Sequence, residues 1–179
     1  MALQVALLRG INVGGHNKIA MADLRQLTET LGLGQPQTLL QSGNLVFDGG
    51  RRTPASIEKL LETETEKKLG VAVDYVVRSA DEWHDLIAAN PFPMEAKADP
   101  SHLVVMCMKA ALKPADVNAL QATIAGPEVV KAVGRELYLS YPAGIGTSKL
   151  TNAVIERKLG TRGTARNWNT VLKLAAMLE

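Results

Sequence analysis

The sequence has one cysteine, three histidines and only seven aromatic side chains: two Trp, three Tyr and two Phe. A lone Cys107 forms no internal disulfide. In the apolar run from His102 to Met108 it reads as a small buried hydrophobe. Scarce and scattered His and Cys leave no metal-ligand spacing, so no metal is expected. So few aromatics, with no RNP motif, disfavour sequence-specific stacking on RNA bases. There is little net charge, formally +2 over 179 residues, which neither demands a polyanionic partner nor excludes a local basic patch. Long apolar runs are lacking too. Arg9 interrupts the first, so neither a signal peptide nor a membrane span is read, and cytoplasmic residence is the default expectation.

What is present is organised around Leu7–Lys18, where an apolar strand runs into glycines and polar donors with no acidic residue. Gly10, Gly14 and Gly15 admit conformations and close approaches that a Cβ forbids, while Arg9, Asn12, Asn17 and Lys18 supply donors. The pattern suits an anion. It equally suits a chain that only needs to turn. The spacing is not G-x-G-x-x-G, and several residues intervene before the next helical pattern, so no dinucleotide fingerprint is present. His16 in this loop has no carboxylate or nucleophile at a telling spacing, so it is a poor acid–base candidate.

Along the chain, residues 4–9 predict a buried strand, and Leu24, Leu27 and Leu31 mark one helix stripe ending at Gly32. Residues 38–41 and 44–48 form a hairpin signal about Ser42-Gly43. Thr53-Pro54 opens a second helix that Gly70 stops. Val73, Tyr75 and Val77 alternate as a strand, and Ser79 with Glu82 makes a capping box for a short third helix. Strand, helix, strand, strand, helix, strand is the split unit of the ferredoxin-like fold. After a polar, proline-bearing segment the order begins again. A strand at 103–108, a helix at 114–125 and a hairpin about Gly134-Arg135 come first. Then, in place of a last strand, helices are expected from about 150 to 159 and from about 165 to 178, with Thr164 as a cap. The expected architecture is α+β. It comprises two ferredoxin-like (split βαβ) halves with antiparallel sheets, 1–90 and 101–179, joined by a linker at 91–100. The second half is modified by its C-terminal helices.

Three further places carry polar groups. The tip Gln41, Ser42 and Asn44 is polar and uncharged, with plain turn chemistry as the competing explanation. Gly144 to Lys149 is not a Walker A loop, because its glycine spacing is wrong; Ser148 and Lys149 at a helix start could still meet an anion or merely cap the helix. Arg166, Asn167 and Asn169 would lie in the first turn of the last helix, a sensible phosphate surface or simply a solvated face. That region is basic, with six Lys or Arg from Lys149 onward against Glu156 and Glu179.

Several segments together resemble the bacterial family called domain of unknown function 1697. They are Val5–Gly15, Met21-Ala22-Asp23-Leu24-Arg25, Gln41–Phe47 and Thr164–Val171. The likeness covers nearly the whole chain, with Ala20 standing where the family often has proline. It implies two ferredoxin-like halves and transfers no reaction or catalytic residue. The leading functional expectation is a binding module for a phosphate-bearing ligand, nucleotide or nucleic-acid backbone, in a groove between the halves. Alternatives are a small hydrolase or transferase using the same groove, and a module that docks another protein. No cofactor and no membrane partner are expected.

Overall fold

The computed structural model describes the whole chain, Met1–Glu179. It forms two compact units, one of Met1–His84 with Leu174–Glu179 and the other of Asp85–Lys173. In the first, β1 (Leu3–Leu8), α1 (Met21–Thr30), β2 (Gly34–Leu39), β3 (Asn44–Asp48), α2 (Pro54–Leu69) and β4 (Tyr75–Ser79) build an antiparallel sheet of order β2-β3-β1-β4. This is the ferredoxin-like arrangement. Ala6, Leu8, Leu45, Phe47, Tyr75 and Val77 form one sheet face, packed with Leu24 of α1 and Ile57 and Leu61 of α2. Local chemistry sets the ends. Thr53 Oγ1 accepts from Ser56 N and Pro54 takes N1, while Gly70 closes α2 in the left-handed region at φ 70°. α1 has Ala20 at its N-cap and no side-chain cap.

From β4 the chain enters α3 (Ala80–Ala88) through the expected capping box: Ser79 N donates to Glu82 Oε2 and Glu82 N to Ser79 Oγ. The segment expected as a linker is more structured than its prolines suggest. Pro93 sits at the first position of α4 (Pro93–Ala98), and Pro100 starts a 3₁₀ turn that leads into β5. Proline at N1 starts a helix as readily as it ends one.

The second unit contains β5 (Leu103–Met108), α5 (Pro114–Thr123), β6 (Val129–Val133), β7 (Glu136–Ser140), α6 (Asn152–Leu159), β8 (Gly163–Asn167) and α7 (Trp168–Ala176), whose last residues belong to the first unit. The sheet order is β6-β7-β5-β8, the same as in the first unit. The expected absence of a last strand is therefore corrected. Gly163-Thr164-Ala165-Arg166-Asn167 pairs antiparallel with β5 instead of opening the final helix. Asn167, not Thr164, caps α7, its Oδ1 accepting from Thr170 N at 3.0 Å. Local propensity favoured helix because Ala and Arg precede an amphipathic run, and pairing with a fully buried strand outweighs it.

The duplication extends to single residues. Arg78 lies opposite Val5, and Arg166 opposite Val105, each at the second-last position of its strand and directly before an N-cap. Both are deeply covered, 1% and 8% exposed. Arg166 Nη1 donates to Thr164 Oγ1 and to the Ala165 carbonyl, and burial pulls the guanidinium down from its ordinary value to about 10. Both faces of each central strand are buried, because Val5 and Leu7 in β1 and Val105 and Cys107 in β5 are as covered as their helix-facing neighbours. In the second unit the hydroxyl of Tyr138, on that second face, donates to the Leu86 carbonyl of α3. No helix is long and apolar enough to cross a membrane.

With Gly49, Gly43 is one of two close backbone approaches in the first unit. Its φ is +86°, its carbonyl accepts from Leu8 N, and a Cβ there would stand 2.7 Å from Ile11 Cδ1 and 2.8 Å from Leu8 Cβ. Gly43→Ala combines about 1 kcal/mol of left-handed strain with about 1–3 kcal/mol of overpacking. Urea unfolding of this variant is expected to show a loss of about 2–4 kcal/mol at unchanged slope.

Candidate functional site

The β1–α1 connection, residues 9–20, is built rather than slack. Five of its residues have positive φ: Gly10, Asn12, Gly14, Gly15 and Asn17. Val13 and His16 form a bridge, and His16 N donates to Val13 O, so Gly14-Gly15 make the two-residue turn of a miniature hairpin. Asn12 N donates to Asn17 O behind it. The glycines thus do turn the chain, as one of the two sequence readings required.

The amide side chains fix this hairpin to the sheet. Asn12 Nδ2 donates to the carbonyls of Ile19 at 3.0 Å and Gln41 at 2.8 Å, and its Oδ1 accepts from Ile19 N at 2.9 Å. Asn17 Nδ2 donates to Gly10 O. Asn44, fully buried, donates to Leu39 O and Ser42 Oγ across the β2–β3 turn. These three asparagines use their amides within the protein. Arg9 pairs with Asp74 at 3.7 Å. The exposed tip has other donors: the backbone N–H groups of Gly14 and Gly15, the Lys18 ammonium and the His16 imidazole make no protein hydrogen bond or ion pair. Gln41 and Ser42 are exposed on the neighbouring turn, which the Asn12 bond to Gln41 O holds beside the loop.

The remaining sequence candidates lie in the second unit. Arg166 is buried and Asn167 is a cap, while Asn169 is exposed on α7. Ser148 and Lys149 line a cavity of about 450 Å³ together with Gly126, Glu128, Gly144 and Leu150. Ser148 Oγ donates to Glu128 Oε1 at 2.6 Å, which holds the Glu128 carboxyl below the usual carboxylate range. Sequence reasoning passed over Glu128. Gly126-Pro127 before it signals a turn, but its contact with Ser148 is made only by the fold. The His–carboxylate pair of the chain is also unforeseen: His102 Nδ1 lies 2.7 Å from Asp99 Oδ2, with both side chains partly exposed. No group of three His, Cys, Asp or Glu is arranged to hold a metal ion.

Asn12 carries more of the loop than any other single side chain described. Asn12→Ala deletes three hydrogen bonds of about 1 kcal/mol each. Chemical denaturation is expected to show about 2–3 kcal/mol of destabilisation, with hydrogen exchange at the Ile19 amide rising more than at β5 amides.

Comparison with solved structures finds a conserved bacterial protein, SP0830 from Streptococcus pneumoniae. It is 24% identical, with 99% of each chain covered and a TM-score of 0.78, a likeness that shows the fold. Comparison with curated proteins gives no match. A family model described as a protein of unknown function (DUF1697) matches residues 1–138, which takes in the loop, its bonds from Asn12 and Asn17, the Asn44 turn and the strand pairs β1–β3 and β1–β4. Covering well over half its length, that match makes the chain a member of the DUF1697 family.

Proposed function

We propose that the chain is a binding protein whose β1–α1 loop receives a phosphate-bearing ligand, a nucleotide or the backbone of a nucleic acid. The observation that carries this reading is the division of labour in the loop. Asn12 and Asn17 are consumed in holding it, while two consecutive glycine N–H groups, Lys18 and His16 point no bond at the protein. Successive backbone N–H groups beside a cation form an anion-binding concavity. No acidic residue occurs from Arg9 to Ala22, and the nearby Asp74 is engaged by Arg9. A preformed loop also lowers the ordering cost that a ligand must offset. A hydrolase or transferase reading would need a base at this loop, and His16 contacts no carboxylate.

Amide shifts of Gly14 and Gly15 measure binding directly. Inorganic phosphate, a nucleoside triphosphate and a short single strand are each titrated at low and moderate salt. All three are expected to move both amides, with affinity falling as salt rises. Lys18→Glu is expected to weaken binding about tenfold or more, since it removes a charge-assisted contact and adds repulsion. For the strand it should also lower the salt slope by about one. Unmoved glycine amides with all three ligands would reject the reading.

A further inference from the structure

Two of the four helices packed in the repeated units end with their own cations, Lys67 and Lys68 in α2 and Arg157 and Lys158 in α6. These complement the negative end of a helix dipole. α1 and α5 carry no basic residue in the last turn. In the first unit the deficit is met from outside the helix. Arg52, directly before the N-cap of α2, extends over the end of α1, where its Nη1 donates to the Leu31 carbonyl at 3.2 Å. Its Nη2 stands 4.0 Å from where a Cβ on Gly32 would be.

The second unit has no such residue. The position before the N-cap of α6 is Leu150, which is buried in the core, with its carbonyl accepting from Tyr141. At the end of α5 the second unit has its cavity instead, bounded by residues 123–128 and by the loop that leads to α6. Glu128 brings a carboxylate to the same place. It accepts from Ser148 and from its own backbone N–H, and a carboxylate has about four acceptor sites, so capacity remains for a further donor. Ile124, Leu150 and Val154 supply apolar wall. Lys149 is exposed at the rim and makes no ion pair, so it does not take the role that Arg52 has.

We propose that this cavity is a binding site for an alkyl guanidinium group, held by the Glu128 carboxylate and the carbonyl end of α5, with its alkyl arm against the apolar wall. The planar donor fork of a guanidinium matches a carboxylate and leaves further donors for helix-end carbonyls. The same chemistry comes from two sources, a small guanidino compound or an arginine side chain of a peptide. The site is separate from the β1–α1 loop and does not depend on its function.

The test follows amide shifts of Gly126 and Gly144, which line the cavity, in the full chain. Ethylguanidinium and a capped arginine tripeptide are the ligands; ethylurea, uncharged and of similar shape, and inorganic phosphate are the controls. Saturable shifts with ethylguanidinium but not with ethylurea are expected. Tighter binding of the tripeptide assigns the site to a peptide, and weaker binding assigns it to a small molecule. Glu128→Gln is expected to reduce affinity about tenfold or more with the β5 amides unmoved, and Lys149→Ala to leave it equal or improved. The wild-type titrations decide the matter even if the Glu128 variant does not fold. Equal response to ethylurea, shifts with phosphate that Lys149→Ala abolishes, or no response to either guanidinium would overturn the proposal.

Discussion

The structure depends on two central strands, β1 and β5, that are hydrogen-bonded along both edges and covered on both faces. A strand so enclosed cannot slip by one residue without exchanging its two sets of side chains, both of which are buried. Its register is therefore handed to its neighbours. Leu3 through Leu7 are matched to Asp48 through Asn44, and Leu103 through Cys107 to Ser140 through Glu136. The last strand of each unit is fixed in the same way, with Arg78 and Arg166 at equivalent positions and the next residue starting a helix. Ser79 and Asn167 cap because the register stops each strand there.

How legible this was from the sequence follows the range of the interactions involved. Thr53-Pro54 with Gly70, and Ser79 with Glu82, act over a few residues, and the structure uses each as the sequence suggests. Gly163–Asn167 has one β-branched residue and no aliphatic pair, so nothing local marks it as a strand. Its determinant is the edge of β5, more than fifty residues away. The asparagines of the opening loop show the same limit. Asn12 is visibly a donor, but its acceptor is the carbonyl of Gln41, and only the folded hairpin makes plain that this amide is already spent.

A shared register confines the differences between the units to their connections. The first unit elaborates the β1–α1 loop, 9–20, where the second has only 109–113. The second elaborates the β7–α6 loop, 141–151, where the first has only 49–53. Since β3 and β7 run antiparallel to the central strands, the two enlarged loops lie at opposite ends of their own sheets. Each is held by internal bonds of its own: Asn12 and Asn17 in one, and in the other the Tyr141 hydroxyl donating to Leu150 O and Leu150 N donating to Ser148 Oγ. Ordered loops on a rigid sheet are the usual seat of recognition.

The charges of these loops make them chemically unlike. The loop in the first unit exposes N–H groups and Lys18 to solvent, where a single charge is screened over about 8 Å at physiological ionic strength. On the proposed reading, the weak hold of such a site on a singly charged anion favours polyphosphates and nucleic acids over a lone carboxylate. The cavity in the second unit presents an ionised Glu128 beside a helix end without a cation, partly walled by apolar side chains. Screening is weaker in such a recess, so the proposed guanidinium site rests on the shape of one positive group more than on charge number. Under the two proposals the common fold sets where each enlarged loop lies, and the groups that meet there, exposed N–H donors in one unit and the Glu128 carboxylate beside the loop in the other, set the sign of the ligand.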